Sequence, residues 1–330
     1  MTPTHLRLRT ARSAAISMVR IELHIELGYE VDQHGADFVL NIHPAHTQCQ
    51  RVSAESLTLN QAISAEVQTD PATGNRYTRL QAMPGLLNVS YKATVDLTHH
   101  RADPSMLAEV PVHRLPLHVM QYVYPSRYCE SDRLGRLAIK EFGQLWQGHS
   151  RVQAIMDWVR RRVTYTPNVS NSRTSAVETL IEQAGVCRDF AHLMIALCRA
   201  VSIPARFATG TDYGVDAGVG PPDFHAYVEV YLGDRWYIFD PSGAGIPMGF
   251  VRIGTGRDAA DVAFATIFGG VTPLHAPMVR AIAVEDPERG VVSPHRSSEA
   301  LSTDDCAGSA GDREPRQTLD SARQPDPVRH

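Results

Sequence analysis

The chain has no CxxC pair, no apolar run long enough to span a bilayer, and no basic face that stands out. Each absence narrows its chemistry. Its five cysteines (Cys49, Cys129, Cys187, Cys198 and Cys306) are irregularly spaced and odd in number, which argues against a disulfide framework or a zinc ribbon and fits a reducing, cytoplasmic setting. Without an 18-residue apolar stretch no membrane span is expected. The formal charge of −4 is thinly spread, so nucleic acid is not an expected partner. The first 20 residues hold Arg7, Arg9, Arg12 and Arg20 and no acid, but the apolar stretch within residues 1–17, Ala14-Ala15-Ile16, is too short for a secretory leader. A disordered extension is expected there.

What is present is 43% hydrophobic and 21% charged, an ordinary globular balance over 330 residues, enough for two domains. From Ile21 the alternation is strict: Ile21, Leu23, Ile25 and Leu27 against Glu22, His24 and Glu26. Val89, Tyr91, Ala93, Val95 and Leu97 repeat it against Ser90, Lys92, Thr94 and Asp96. Period two means strands with one buried face. We therefore expect a β-sandwich of six to eight strands in a β-rich domain over residues 18–125, its last part a proline-punctuated connection with Pro104, Pro111, Pro116 and Pro125.

The period then changes. Val152, Ile155, Met156, Val159 and Val163 recur at helical spacing, and Arg160-Arg161-Arg162 close that helix at the negative end of its dipole. A second helix starts at or just before Cys187 and is stopped by Pro204; strands follow at 205–209, 226–231 and 236–239. The catalytic region is expected over residues 126–285. From 286 to 330 the composition turns to Ser, Asp, Arg, Pro and Gln, which predicts a disordered, dispensable tail.

A nucleophilic cysteine needs a lowered pKa, a base beside it and a group that orients the base. Cys187 falls where free N–H groups and the helix dipole favour a thiolate. Cys198, on the same helix, falls in the apolar stripe. His225 opens one strand and Asp240 closes the next. A two-residue turn at Gly233-Asp234 would set Asp240 opposite Tyr227 and diagonal to His225; a four-residue loop would set it directly opposite His225. Both put His225 and Asp240 on one face.

The order of these blocks carries a resemblance. Gly185-Val186-Cys187-Arg188-Asp189-Phe190-Ala191, then His225-Ala226-Tyr227-Val228-Glu229-Val230, then Trp236-Tyr237-Ile238-Phe239-Asp240-Pro241 resemble the GxCxDxA, HAxxEV and WxxxDP blocks of the bacterial transglutaminase-like superfamily. The stretch from Gly256 to Val262 and the β-rich N-terminal region are similar to an uncharacterised branch of it. The resemblance implies an α+β fold with a papain-like core, no cofactor, Cys187 as nucleophile, His225 as general base and acid, and Asp240 as orienter. With those roles, and with no feature in the sequence that identifies an amine-binding site, we expect a cysteine-dependent amide or peptide hydrolase acting on peptide or protein substrates. The alternatives are amine transfer to a glutamine-derived thioester and a non-catalytic binding module. A zinc site made of Cys187, His192, His225 and Asp240 is chemically possible but lacks ligand spacing.

Several neighbours have plainer readings. Asp189 fits the first helical turn, His192 a satisfied core histidine, and Arg257, Asp258 and Asp261 an ion-paired turn. The Cys187 N–H is the first oxyanion donor expected, with Tyr165 or a backbone group up to Ser172 as the second. Gly210, Gly214, Gly218, Gly220 and Pro221-Pro222 suggest a gating loop rather than a fixed amine subsite, which favours hydrolysis over transfer.

Overall fold

The computed structural model describes residues 18–211, 213–215 and 223–304. Six strands come first: β1 (Val19–Leu40), β2 (Gln50–Leu59), β3 (Ala65–Thr69), β4 (Arg76–Ala82), β5 (Gly85–Leu97) and β6 (His100–Ala102). The helical region holds α1 (Leu117–Met120), α2 (Ser131–Phe142), α3 (His149–Arg162), β7 (Thr164–Tyr165), α4 (Ala176–Glu182), β8 (Ala184–Gly185) and α5 (Cys187–Ala200). The chain ends with β9 (Ala205–Thr211), β10 (Phe224–Leu232), β11 (Arg235–Phe239), β12 (Arg252–Gly256), β13 (Ala265–Pro273), β14 (Met278–Val284) and β15 (Ala300–Ser302).

The alternation in β1 does what period two requires: Val19, Ile21, Leu23, Ile25, Leu27, Tyr29 and Val31 are all buried. But β1 runs for 22 residues, and its register breaks between Val31 and Ala36, where Gly35 takes φ +75°. The first half of β1 pairs with β5 and β14; the second half pairs with β4 and β13. The N-terminal domain is therefore one curled seven-stranded half-barrel. The α+β class holds, but the expected sandwich of two facing sheets is corrected, because a single strand is continuous through both halves. The division at 126 and 285 also does not follow the sheets: β13 and β14 return across the transglutaminase-like region to pair with β1.

The second unit is built around α5, buried on all sides. Phe190, Leu193, Met194 and Leu197 meet Val152, Ile155 and Val159 of α3 and Leu134 and Ala138 of α2 in one core cluster. A four-stranded sheet, ordered β11-β10-β9-β12, closes the other side. The two units meet at the outer edge of β12. There the Gln50 side chain donates to Arg252 O at 2.8 Å and accepts from Arg252 N–H at 2.8 Å. Asn75 does the same to Thr255, at 2.9 Å each way. A β-carbon on Gly254 would lie 2.8 Å from Asn41 Nδ2, so the close approach needs glycine. Asn75→Ala leaves a buried N–H and C=O of Thr255 without partners; an unfolding free energy lower by about 2–3 kcal/mol in urea titration is expected. A change near zero would mean that these amides add no net stability.

The expected tail is corrected in part. β15 pairs with β6, and Ala300, Leu301, Ser302 and Thr303 are buried. Asp304 ion-pairs with Arg206 and Arg252, at 3.2 and 3.0 Å. Composition missed this because the apolar residues come as two isolated pairs, Val291-Val292 and Ala300-Leu301, within a polar stretch. The expected N-terminal extension, residues 305–330 with Cys306, and Gly218, Gly220, Pro221 and Pro222 of the expected gating loop lie outside the described residues. Gly210 belongs to β9, not to that loop. No described helix is long and apolar enough to cross a membrane.

Candidate active site

Cys187 is the first residue of α5, after an extended Val186. The turn is locked by Asp189, whose Oδ2 accepts the Val186 N–H at 2.8 Å, while Asp189 N–H donates back to Val186 O at 2.9 Å. A β-carbon on Gly185 would meet Asp189 Cβ at 2.7 Å, so glycine is what lets this carboxylate fold over the helix start. Asp189 is thus a capping residue, fully buried and paired with Arg188. Cys187 remains partly exposed.

The β10–β11 hairpin uses the two-residue turn. Gly233 and Asp234 have φ +52° and +68°, both left-handed, and the ladder runs from Leu232↔Arg235 to Val228↔Phe239. One step further sets Asp240 opposite Tyr227 and diagonal to His225, which decides between the two registers. His225 Nε2 lies 3.3 Å from Asp240 Oδ1, an ion pair rather than a well-aligned hydrogen bond. Both side chains are almost wholly buried, and the imidazole packs 4.7 Å from the Phe250 ring.

Burial is the largest influence on His225 and pulls its pKa down. The Asp240 charge and contact, then hydrogen bonding and charge from Cys187, outweigh it and raise the pKa to about 10. Burial likewise works against the Asp240 carboxylate, but His225, Ser242 and the Gly245 N–H together hold it below the usual carboxylate range. Ser242 donates to Asp240 Oδ1 through Oγ at 2.7 Å and N–H at 3.1 Å; Gly245 N–H donates to Oδ2 at 3.2 Å. So the structure gathers a thiol at a helix N-terminus, an imidazole and an anchored carboxylate. That set can form a thiolate, move a proton and hold the imidazole in one tautomer.

Residues 143–241 match the transglutaminase-like superfamily, and residues 19–118 match the bacterial transglutaminase N-terminal domain. A solved structure from Cytophaga hutchinsonii, described as a candidate cysteine protease, is 39% identical, with a TM-score of 0.79 over 86% of this chain and 97% of that one. The chain belongs to the bacterial transglutaminase-like superfamily. An uncharacterized protein of Mycobacterium leprae is 33% identical over 43% of this chain and 53% of its own length. For one of Mycobacterium tuberculosis the identity is 33% over 30% and 35%. The chain thus spans about half or less of these curated relatives.

Within this transglutaminase-like frame, the other residues singled out earlier fall elsewhere. His192 accepts the Ala259 N–H at 3.2 Å and stacks on Tyr128 at 5.0 Å, and burial holds its pKa well below the ordinary value. It is a core histidine pinning the 257–261 turn. Asp258 accepts the Tyr128 and Ala260 N–H groups, and Arg257 pairs with Asp261 at 2.9 Å. Tyr165 lies in β7, whose partner Gly185 leads to Cys187. Among the described residues no three His, Cys, Asp or Glu side chains are gathered to hold a metal ion. Sequence reasoning missed Ser242, although a serine two residues after an aspartate is an Asx-turn signal. It also missed the reach of Arg160 to the Asp240 turn.

Proposed function

We propose that the chain is a cysteine-dependent amide or peptide hydrolase working through a thioester acyl-enzyme. The observation that supports this most is the meeting of Cys187, at the start of α5, with the His225–Asp240 pair of the β10–β11 hairpin. In this reading the Cys187 sulfur attacks the substrate carbonyl carbon while the Cys187 N–H, unpaired within the helix, faces the developing oxyanion. As the C–N bond breaks, the His225 imidazolium gives its proton to the leaving amine. Neutral His225 then takes a proton from water; the hydroxyl adds to the thioester, and the thiolate leaves as imidazolium re-forms. Asp240 keeps one imidazole nitrogen toward itself and the other toward sulfur.

Thiol chemistry tests this without knowledge of the substrate. Burial pushes the Cys129 thiol up to about 12 and raises that of Cys198 as well, so both should be inert. Iodoacetamide near pH 6 should modify Cys187 first, as read by peptide mass mapping, and His225→Ala should slow that step on the order of a hundredfold. An unassisted thiol is ionised to well under 1% at that pH. Early modification of Cys198, or a rate untouched by His225→Ala, would refute the assignment. Mostly amide product from a labelled acyl donor in millimolar primary amine would instead favour transfer over hydrolysis. An unreactive Cys187 with no turnover would favour a binding module.

A further inference from the structure

Asp240 lies one residue beyond β11, where the ladder has ended at Phe239. Its carboxylate is anchored in front by Ser242 and Gly245. Its backbone is anchored from behind. Arg160, in the last turn of α3, donates through Nη2 to Asp240 O and through Nε to Pro241 O at 3.4 Å. Arg296 donates to Gly243 O at 3.2 Å. Gly243 takes φ +68°, and a β-carbon there would sit 3.4 Å from the Arg160 guanidinium, so the turn folds directly onto that group.

We propose that Arg160 is a positioning residue that fixes the Asp240 turn, and through it the Asp240–His225 pair, from the side away from the imidazole. The proposal rests on the reading of Cys187, His225 and Asp240 as the reacting groups. Three observations carry it. His149, Gln153, Met156 and Arg160 form one stripe of α3, and that stripe lines a cavity of about 230 Å³ whose far side includes Phe239 and Asp240. The planar guanidinium can serve two neighbouring carbonyls at once, which an ammonium cannot do with the same geometry. And the 3.3 Å contact between His225 and Asp240 is long, so a small movement of the turn weakens it steeply. Of the other arginines in the run, Arg162 lies over the Trp158 ring at 5.1 Å instead.

The sign of the effect separates positioning from mere charge. The groups facing the His225 ring are Cys187 from α5, Asp240 from the turn, Tyr227 from β10 and Phe250 ahead of β12. Behind the turn stand His149, Arg160, Arg296 and Glu299, the last paired with Arg101. Acting only as a nearby positive charge, Arg160 would disfavour the imidazolium, and its removal would favour it. Acting by holding Asp240, its removal weakens the pair and disfavours the imidazolium.

The experiment compares Cys187 alkylation by iodoacetate and by iodoacetamide between about pH 5 and 11. The anionic reagent is favoured while His225 is charged, so the rate ratio falls as His225 loses its proton. Arg160→Gln and Arg160→Met should move that fall acidward by about one pH unit. Arg160→Lys should recover part of the shift, and Arg161→Gln should leave the midpoint in place. An unmoved midpoint, an alkaline shift, or a lowered melting temperature with the wild-type midpoint would overturn the positioning role. A wild-type chain with an unreactive Cys187, or a flat ratio, would overturn the underlying thiolate–imidazolium reading and the proposal with it.

Discussion

Removing residues 299–330 is expected to lower the unfolding free energy by roughly 5 kcal/mol and the melting temperature by on the order of 10 °C. The reason is a group of four charges, three of them buried and the fourth, Asp304, half-buried over them. Arg206 of β9 and Arg252 of β12 are balanced by Glu229 of β10 and by Asp304, with contacts of 2.5 to 3.6 Å. Arg206 also lies over the Trp236 ring at 4.3 Å, and Arg235 donates to Asp304 O at 2.9 Å. Without Asp304 two buried guanidiniums share one carboxylate, and an unpaired buried charge costs about 3–5 kcal/mol. Uncovering Leu301 adds about 2 kcal/mol. Asp304→Asn isolates the charge and should cost about 3 kcal/mol by itself. Truncation that leaves the melting temperature within a few degrees would show that this segment lies on the fold without supporting it.

Asp240→Asn is expected to reduce turnover of an acyl donor at pH 8 on the order of 10²- to 10⁴-fold, with the alkaline limb of the pH profile moved toward acid. Burial acts on His225 most strongly and opposes its charge; Asp240 is the chief reason its pKa stands near 10 instead of below the ordinary value. Because the folded pKa is raised above the unfolded one, the pair's contribution to stability is complete below about pH 6.5 and fades as pH rises through about 10. Asparagine keeps the shape and the Ser242 contact but removes the charge, so burial then dominates and His225 should lose its proton below about pH 6.5. The checks are the pH–rate profile of both proteins and their melting temperatures at pH 8 and 11, where the wild type should lose more than the variant. A limb that stays in place would assign it to another group.

The parts of this fold that sequence made legible are those governed by local period and turn chemistry. Alternation marked β1 and β5, helical spacing marked α3, and the blocks around Cys187, His225 and Asp240 marked a hairpin facing a helix start. What stayed hidden depends on pairing between distant segments. Nothing local in the 265–284 stretch says that it returns to β1, since a strand's partner is chosen by tertiary geometry. Asp304 reads as one acid in a polar tail until Arg206 and Arg252 are seen beneath it. Arg160 reads as a helix-ending cation, a role it can hold while its guanidinium serves another segment.

The edge of β12 has a consequence for how the molecule can be divided. A sheet margin is normally shielded by another strand, by charge or by a bulge. Here two carboxamide side chains, one at Arg252 and one at Thr255, stand in for the missing strand, helped at Arg252 O by the Ala45 N–H, and all belong to the other unit. Cutting the chain between the half-barrel and the region around α5 would therefore strip hydrogen-bonding partners from a previously closed margin. A margin in that condition recruits backbone from any neighbour, including another copy of itself. The smallest piece that keeps this margin closed contains both units, whatever chemistry is concentrated in one of them.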